Sequence, residues 1–548
     1  MKTSLRELMA TSGVAFGTSG ARGLADAMTD LVCYAYTTGF LQHFESRGKP
    51  APGSRAIAVA GDLRPSTGRI MEAVARAAEA MGYRVVWCGR IPSPALALFG
   101  LEGQIPAIMV TGSHIPEDRN GIKFNTPSGE ILKEDEEGIA RQVVAVDDAL
   151  FDAAGRFAPL LRGPRHTGQN PLTPALSHPT CLPKPGPRQV GEGVRRAGEG
   201  DGAAGPTDCF HGSVARIESV EAGEQYIARY VDFFGSSALE GLRLGVYQHS
   251  AVGRDILARI LEALGAQIIL LGRSEVFIPV DTEAIRPEDV ALAEQWARED
   301  GYDALVSTDG DSDRPLLSDE RGRWLRGDLA GILCARFLDA DAVCTPVSCN
   351  TAVERCGWFR EVRRTKIGSP YVIAAMNAAS AEGGRRVVGY EANGGFLLNS
   401  HIERQGRTLR ALPTRDAVLV ILSILLLAKR QGRRVSELAA ALPARFTASG
   451  RMKNVPPRKS AALLERFSTG SDAADGRELE AVFGALCGTV GTIDRTDGLR
   501  VTFGNGEILH VRASGNAPEL RCYSEAGTEE RAKRINGEAL EILGSIVG

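Results

Sequence analysis

A chain of 548 residues is too long for a single hydrophobic core, and its size favours three or four domains. Hydrophobic residues make up 43% of the chain and charged residues 24%, as in ordinary soluble globular proteins. The formal net charge of −3 gives the whole chain no attraction to nucleic acid or to an anionic membrane, so we expect neither as a partner.

Targeting and redox signals are weak in this sequence. The first 16 residues, MKTSLRELMATSGVAF, lack the apolar segment of a signal peptide. The longest apolar run, residues 417–428 (AVLVILSILLLA), is too short to cross a bilayer and predicts a buried helix. The three closest cysteines, Cys344, Cys349 and Cys356, do not have the spacing of a zinc site. We therefore predict a cytoplasmic protein with reduced thiols.

Residues 1–155 alternate strand-like and helix-like segments. An alternation of this kind predicts an α/β domain with a largely parallel sheet. The predicted strands are residues 56–60 (AIAVA), 84–88 (RVVWC) and 105–110 (IPAIMV), and the predicted helix is residues 68–81. The last strand leads into residues 111–124, TGSHIPEDRNGIKF, which we name the serine loop.

The serine loop places Ser113 beside His114 and ends near Lys123. A serine hydroxyl needs a base or a metal to act as a nucleophile, and the G-x-S-x-G sequence of a hydrolase is missing. Adjacent residues on an extended chain point to opposite faces, so His114 is not a simple base for Ser113. The alternative is that Ser113 carries a phosphate whose oxygen helps to bind a cation, while Lys123 acts on the proton of an attacking hydroxyl. We expect this loop to face solvent.

Residues 163–206 interrupt the α/β pattern. Of these 44 residues, 17 are Gly or Pro and none is aromatic. Such a composition cannot bury enough apolar surface to offset the entropy of ordering, so we predict a disordered insertion. A partner-binding segment is the alternative.

A second α/β block is predicted for residues 216–329. Its strands are residues 244–247, 267–271 and 304–307, with a helix at 253–264. The last strand leads into residues 308–314, TDGDSDR, which we name the acidic loop.

The acidic loop carries Asp309, Asp311 and Asp313, followed by Arg314. Three carboxylates this close repel one another unless a cation neutralises them, and their hard oxygens suit Mg²⁺ or Ca²⁺. An EF-hand would have Glu320 at its twelfth position, but Arg314 stands where that loop needs a glycine, and a strand precedes the loop. A cation next to an arginine is an arrangement typical of phosphate handling, so we favour Mg²⁺.

Two further blocks complete the chain. Residues 330–445 form a third α/β block, whose strand 386–390 leads into residues 391–396 (EANGGF), the glutamate loop. Residues 446–548 predict an α+β domain with a type I′ hairpin at Asn505-Gly506 and a final helix from about residue 528.

Polar side chains in these two blocks suit a sugar and a phosphate. Glu391 and Asn393 can bind sugar hydroxyls on a backbone made accessible by glycines. The fourth loop, residues 512–525 (RASGNAPELRCYSE), is named the arginine loop, and it offers an anion site. Its candidate residues are Arg512, Ser514, Gly515, Asn516 and Arg521.

Three α/β blocks that each end a strand in a polar loop suggest a structural repeat around a common site, because ligands bind at the carboxyl ends of parallel strands. The four loops, in this order, resemble the conserved stretches of the α-D-phosphohexomutase family, which contains the phosphomannomutases and phosphoglucomutases. The amino-terminal FGTSGARG, residues 16–23, also resembles that family. The resemblance covers nearly all of the chain except the insertion.

The resemblance implies three related α/β domains with mixed sheets and a C-terminal α+β domain, arranged around a central cleft. It implies an intramolecular phosphotransferase, an isomerase, that uses Mg²⁺ and a hexose 1,6-bisphosphate, with a hexose phosphate as substrate and a monomer or dimer as the assembly. Ser113 would be the phosphorylated residue. The Mg²⁺ ligands would be Ser113, Asp309, Asp311 and Asp313. The groups around the transferring phosphoryl would be Arg22, His114, Lys123 and Arg314. The substrate-binding residues would be Glu391, Asn393, Arg512, Ser514, Gly515, Asn516 and Arg521.

The sugar is the least determined part of this expectation. The sequence is most similar to bacterial phosphomannomutases, which favours mannose phosphate. Asn393 stands where many members of the family have serine, so glucose phosphate or dual specificity remains an alternative, with glucosamine phosphate third. A metal-dependent phosphatase and a non-catalytic sugar-phosphate sensor are the alternatives outside the mutases.

Overall fold

A computed structural model describes residues 2–17, 20–48, 55–158, 216–514 and 518–548. The predicted insertion at 163–206 lies outside the described residues, as do Gly515 and Asn516. Among the helices of the described ranges, none is long and apolar enough to serve as a membrane span.

The first domain is an α/β unit built on one large mixed sheet. Its strands are β1 Lys2–Ser4, β2 Ala15–Phe16, β3 Ala21–Leu24, β4 Ala56–Gly61, β5 Arg84–Arg90, β6 Ala107–Val110, β7 Arg119–Thr126, β8 Gly129–Glu130 and β9 Val143–Ala145. Its helices are α1 Leu5–Ser12, α2 Asp30–Ser46, α3 Thr67–Ala80, α4 Ser93–Gly103 and α5 Lys133–Ala140, with a short 3₁₀ turn at Asp148–Leu150. Strands β5, β4 and β6 are parallel, and β7 returns antiparallel to β6.

The second domain repeats this core with fewer strands. Its strands are β10 Ile217–Glu218, β11 Arg243–His249, β12 Gln267–Arg273, β13 Ala304–Thr308 and β14 Pro315–Leu317, and its helices are α6 Glu221–Phe234, α7 Arg254–Ala263 and α8 Pro287–Asp300. The sheet order is β12-β11-β13-β14, with β14 antiparallel to its parallel neighbours. Strand β10 instead joins the edge of the first sheet beside β5.

The third domain has the same order again. Its strands are β15 Ala342–Pro346, β16 Glu361–Thr365, β17 Val387–Tyr390, β18 Phe396–Leu398, β19 Ile402–Arg404 and β20 Arg407–Leu409. Its helices are α9 Gly327–Phe337, α10 Ala352–Arg355, α11 Ser369–Ala381, α12 Ala417–Gln431 and α13 Val435–Ala440. The sheet order is β16-β15-β17-β18, with β18 antiparallel, and the apolar run at 417–428 is the buried part of α12, as predicted.

The last domain is an antiparallel sheet covered by helices. Its strands are β21 Phe446–Lys453, β22 Val490–Asp494, β23 Leu499–Phe503, β24 Ile508–Ala513 and β25 Glu519–Ala526, in the order β21-β25-β24-β23-β22. Its helices are α14 Pro457–Arg466, α15 Asp472–Cys487 and α16 Glu529–Val547. The α/β fold class with a terminal α+β domain is therefore confirmed.

The hairpin turn in the last domain differs from the type I′ turn that Asn505-Gly506 predicts. Only Gly506 has a positive φ, 79°, and its amide donates to the carbonyl of Phe503 at 2.8 Å. A type I′ turn needs a positive φ at both of its central residues, so the positive φ at Gly506 alone excludes it. The side chain of Asn505 accepts from the amide of Glu507 at 2.9 Å and donates to the carbonyl of Cys487 at 3.1 Å. These bonds hold Asn505 at a negative φ.

Hydrophobic packing joins the three α/β domains but leaves the fourth with its own core. One cluster of buried residues runs from Leu96 in α4 through Val246 in β11 to Leu425 in α12. The core of the last domain contains residues of that domain alone, Phe483 and Leu520 among them. The first three domains therefore form one packed body, which holds their loops in a fixed mutual arrangement.

Candidate active site

The serine, acidic and glutamate loops occupy the same place in their three domains. Each follows the third parallel strand and leads into the antiparallel fourth: β6 to β7, β13 to β14, and β17 to β18. The carboxyl ends of these strands bring polar side chains to one side of each sheet. The first two loops touch, since the hydroxyl of Ser113 donates to Asp309 Oδ2 at 2.7 Å across 196 residues of chain.

Ser113 is fully buried, so the expectation that the serine loop faces solvent is wrong for the serine itself, although residues 116–119 of the loop are exposed. Its φ of 56° lies in the left-handed region, which non-glycine residues adopt at a cost of about 1–3 kcal/mol and which clusters at functional sites. The acidic loop can come this close because residue 310 is a glycine. A Cβ there would lie 2.6 Å from the carbonyl oxygen of Ser113.

The three aspartates of the acidic loop form the one group of metal-ligand type in the described part of the chain. One oxygen from each of Asp309, Asp311 and Asp313 lies within 4.8 Å of the others, and all three residues are buried. Burial, together with the charges of Asp311 and Asp313, raises the pKa of Asp309 well above its usual range. A cation bound here would remove that repulsion.

Lys123 supplies a positive charge to two of these carboxylates. It lies on β7, and its Nζ donates to Asp311 Oδ2 and Asp313 Oδ2 at 2.6 Å each. Burial by itself would raise the pKa of Asp311, but the charge and hydrogen bond of Lys123 bring that pKa below its ordinary value. The serine loop therefore contacts the acidic loop through two groups, the hydroxyl of Ser113 and the ammonium of Lys123.

The donor set fits a hard divalent cation. Asp311 Oδ1 and Asp313 Oδ1 are buried and have no hydrogen-bond partner among the described residues, so two carboxylate oxygens are available as ligands. Oxygen ligands of this kind suit Mg²⁺. A strand, β13, leads into the loop, which excludes the helix–loop–helix of an EF-hand.

His114 follows Ser113, and its ring is influenced by two arginines, Arg314 and Arg22. Nδ1 of His114 lies 2.7 Å from Nη1 of Arg314, so this nitrogen accepts the arginine proton. Burial and the charges of Arg314 and Arg22 hold the pKa of His114 well below its usual range, so the ring is neutral. Nδ1 also lies 3.4 Å from the hydroxyl oxygen of Ser113, but its shorter bond is to Arg314, so His114 is not a simple base for Ser113. Burial and the charge of Arg314 also lower the pKa of Arg22 to about 10, and it remains a cation.

The glutamate loop is anchored on both sides. Glu391 is buried and accepts from Nη1 of Arg415 at 3.2 Å. The side chain of Asn393 accepts from the amide of Gly395 at 2.9 Å, and its carbonyl accepts from the hydroxyl of Thr282 at 2.7 Å. The two predicted sugar-binding side chains are therefore held rigidly, and part of their hydrogen-bonding capacity is used within the protein.

The arginine loop joins β24 to β25, where Arg512 and Arg521 are cross-strand partners. The amide of Ser514 donates to the carbonyl of Glu519 at 2.9 Å and closes the loop. The Nε atoms of both arginines are buried without a hydrogen-bond partner in the described ranges, and Arg512 Nε lies 3.5 Å from a carboxylate oxygen of Asp497. The charge of Arg521 contributes to the lowered pKa of His114, so the fourth domain acts electrostatically on the same site.

Sequence reasoning missed four residues that hold this site together. Arg415 is fully buried and joins Asp313, at 3.0 Å, to the glutamate loop. Ser93, the first residue of α4, donates its hydroxyl to Asp311 Oδ2 at 2.7 Å and its amide to the carbonyl of Asp311 at 2.9 Å.

Asp62 and Arg64 follow β4 and contact the serine loop. Their signal was available, because they too are polar residues directly after a buried strand.

Comparisons with known proteins agree with this arrangement. Four domain families described as phosphoglucomutase/phosphomannomutase match the chain: domain I at residues 13–149, domain II at 224–322, domain III at 326–446, and the C-terminal domain at 466–542. A phosphomannomutase of Sinorhizobium fredii is 42% identical over 97% of this chain and 99% of its own. A phosphomannomutase of Salmonella muenchen is 40% identical over 98% of this chain and 97% of its own.

A solved structure has the same fold at lower identity. The phosphoglucomutase/phosphomannomutase family protein of Burkholderia thailandensis superimposes with a TM-score of 0.65 at 18% identity, covering 96% of this chain and 97% of the other.

Proposed function

This chain belongs to the phosphoglucomutase/phosphomannomutase family and is an intramolecular phosphotransferase, and from that premise we propose that it interconverts mannose 1-phosphate and mannose 6-phosphate. The choice of mannose rests on the two relatives at 42% and 40% identity, both named phosphomannomutase. The observation that carries the mechanism is the bond of 2.7 Å from the Ser113 hydroxyl to Asp309 at the buried acidic loop.

In the proposed reaction Ser113 begins as a phosphoserine. A hydroxyl of the bound hexose monophosphate attacks the phosphorus, so a bond from the sugar oxygen to phosphorus forms and the bond from Ser113 Oγ breaks. The attacking hydroxyl loses its proton, for which Lys123 Nζ is our candidate acceptor. Lys123 would accept it as the neutral amine, after the ammonium that contacts Asp311 and Asp313 has released a proton to solvent. The resulting hexose bisphosphate reorients in the cleft and returns its other phosphoryl to the oxygen of Ser113. The sugar oxygen that loses this phosphoryl takes up the proton that Lys123 held.

The remaining residues bind, orient and exclude water in this proposal. Asp309, Asp311, Asp313 and the phosphoserine oxygen would hold Mg²⁺, which when bound neutralises charge on the transferring phosphoryl. Arg22 and Arg314 would stabilise the same charge, and neutral His114 would orient Arg314 through the bond of 2.7 Å.

Substrate recognition falls to the two loops of the third and fourth domains. Glu391 and Asn393 would bind sugar hydroxyls. The phosphate that does not react would lie against Arg512, Ser514, Gly515, Asn516 and Arg521. Since the Nε atoms of Arg512 and Arg521 are buried without a hydrogen-bond partner in the described ranges, an anion would give them one. The free thiols of the described cysteines support the expectation of a reducing compartment, the cytoplasm.

The test is ³¹P NMR of the purified enzyme with Mg²⁺, a trace of hexose 1,6-bisphosphate, and mannose 1-phosphate or glucose 1-phosphate in parallel tubes. A 6-phosphate signal that grows faster from mannose supports the proposal. Faster growth from glucose would make the enzyme a phosphoglucomutase, and free phosphate alone would make it a phosphatase.

A pair of variants tests the role of the serine. Ser113→Ala should abolish turnover and remove the phosphoserine seen by mass spectrometry. Ser128→Ala is the matched control, because Ser128 is an exposed serine in the turn after β7, and its variant should keep full activity. Turnover by Ser113→Ala at a normal rate would refute the phosphoserine mechanism.

A further inference from the structure

Arg64 uses every donor of its guanidinium on or beside the serine loop. The side chain is fully buried directly after β4. An arginine has five N–H donors. Here Nε donates to Asp62, and the two terminal nitrogens donate to four backbone carbonyls of the serine loop. The four acceptor carbonyls and their distances are Ser113 at 2.8 Å, Ile115 at 2.6 Å, Pro116 at 2.6 Å and Arg119 at 3.1 Å.

Asp62 holds the other end of the same loop. Its Oδ2 accepts from the hydroxyl of Thr111 at 2.8 Å and from the amide of Gly112 at 3.3 Å. The hydroxyl of Thr111 in turn accepts from the amide of Ser113 at 2.7 Å. Asp62 and Arg64 therefore grip the loop from its first residue to the start of β7, and we name this pair the loop clamp.

A ring from the second domain covers the loop clamp. The guanidinium carbon of Arg64 lies 4.1 Å from the centre of the Phe277 ring, and Phe277 is itself buried. The same ring borders the acidic loop, because a Cβ at Gly310 would lie 3.3 Å from it. The guanidinium is thus enclosed between its own loop and the neighbouring domain, where water cannot compete for its hydrogen bonds.

The clamp has a direct consequence for the serine hydroxyl. Ser113 is kept at a φ of 56°, which its own chain disfavours, and its Oγ is kept 2.7 Å from Asp309. Two of the clamp's bonds, to the carbonyl of Ser113 and through Thr111 to its amide, flank this residue on both sides. A displacement of about 1 Å at a reacting atom costs about a hundredfold in rate.

We propose that Arg64 is a positioning residue, which acts through the backbone of the serine loop to set the Ser113 oxygen against the acidic loop, with Phe277 sealing it. This inference rests on the proposed function of Ser113. We assign the clamp to the transfer step, because Asp62 and Arg64 bond the loop that would carry the phosphoryl. Within the described residues, neither bonds the glutamate loop or the arginine loop. The clamp should therefore affect kcat and not the KM for the hexose phosphate.

The test compares Arg64→Lys with Arg69→Lys. Lysine keeps the charge but cannot reproduce the five-donor fork. Arg69 is the matched control, since it bonds Asp30 at 2.7 Å and the carbonyls of Met28 and Ala25 in the same domain, and its own bonds do not go to the serine loop. Arg64→Lys should lose about a hundredfold in kcat with KM within about threefold, and its phosphoserine should hydrolyse faster in the absence of substrate. Arg69→Lys should match the wild type in both measurements.

Phe277→Leu supplies an independent test, since it leaves the clamp intact and removes only the sealing ring. It should raise the rate of phosphoserine hydrolysis and lower kcat while keeping KM, because water then competes for the bonds that position Ser113. Arg64→Lys with an unchanged kcat, or equal losses in both lysine variants, would overturn the inference. If Arg64→Lys fails to fold, the Phe277→Leu variant still decides. A rate of phosphoserine hydrolysis and a kcat equal to those of the wild type would then overturn the inference. A wild-type enzyme that carries no phosphate on Ser113 would instead refute the proposed function, which mass spectrometry reports separately.

Discussion

Arg415→Met should destabilise the third domain more than any surface substitution, because it removes the only ion-pair partner that the structure gives Glu391 within the described chain. Arg415 is fully buried, with Nε 3.0 Å from Asp313 and Nη1 3.2 Å from Glu391. Methionine has a similar length and fills most of the space. The variant therefore tests the charge more than the packing.

The magnitude follows from the two distances. At an effective dielectric constant of about 20, charges 3.0 Å and 3.2 Å apart attract with about 5 kcal/mol each. Desolvation of the three buried groups offsets much of that sum, and removal of one partner from a buried pair costs about 3–5 kcal/mol. The three α/β domains form one packed body of more than about 250 residues, in which 1 kcal/mol lowers Tm by less than about 2–4 °C, so the expected fall in Tm is at most about 10 °C.

The assay is thermal unfolding followed by tryptophan fluorescence, in EDTA, so that no divalent cation neutralises Asp313. The cost should be partly recovered in the double variant Arg415→Met/Glu391→Gln. Asp313 keeps its bond to Lys123 in both variants, whereas the carboxylate of Glu391, which loses its ion-pair partner, is replaced by a neutral amide in the double variant. A single variant as stable as the wild type would refute the reasoning. So would a double variant that is less stable than Arg415→Met alone.

Three further results are expected. Ser93→Ala removes the hydroxyl bonded to a metal-site carboxylate, so calorimetry should show Mg²⁺ binding about tenfold weaker, with Ser93→Thr close to the wild type. Gly310→Ala forces apart the serine and acidic loops and should lower kcat at least about tenfold, whereas Gly537→Ala, with open space around it, should not. Burial lowers the pKa of His249 and of His510 to about 4, so the unfolded chain binds protons that the folded chain does not. The free energy of unfolding should therefore fall between pH 6.5 and 4, by about 3 kcal/mol per histidine, and equal stability in urea at pH 7 and pH 4.5 would contradict this.

Local sequence patterns were enough to predict the α/β fold class and most of the strands that carry the loops. Apolar runs such as residues 56–60 and 304–307 predicted buried strands, because they are short and alternate with helix-like segments, and β4 and β13 confirm this. The three aspartates were also predictable as a group, since alternating carboxylates in seven residues cannot be far apart. In the turn at Asn505 the same kind of reasoning failed, because the asparagine side chain bonds outside its own turn.

Long-range contacts decided what local patterns could not. The hydroxyl of Ser113 meets Asp309 across 196 residues, and Arg415 reaches Asp313 across 102. Neither pairing leaves a periodic signal, because side chains on different domains are brought together by sheet packing and not by spacing along the chain. For the same reason the burial of Ser113 was missed, since the covering residues belong to another domain.

By itself, the sequence therefore determined which residue types stand at the ends of buried strands, because burial of apolar side chains imposes a pattern that can be read along the chain. The tertiary structure decided how those ends combine. Packing of three similar sheets into one body puts the acidic loop on the serine loop, encloses the guanidinium of Arg64 and leaves carboxylate oxygens of Asp311 and Asp313 for a cation.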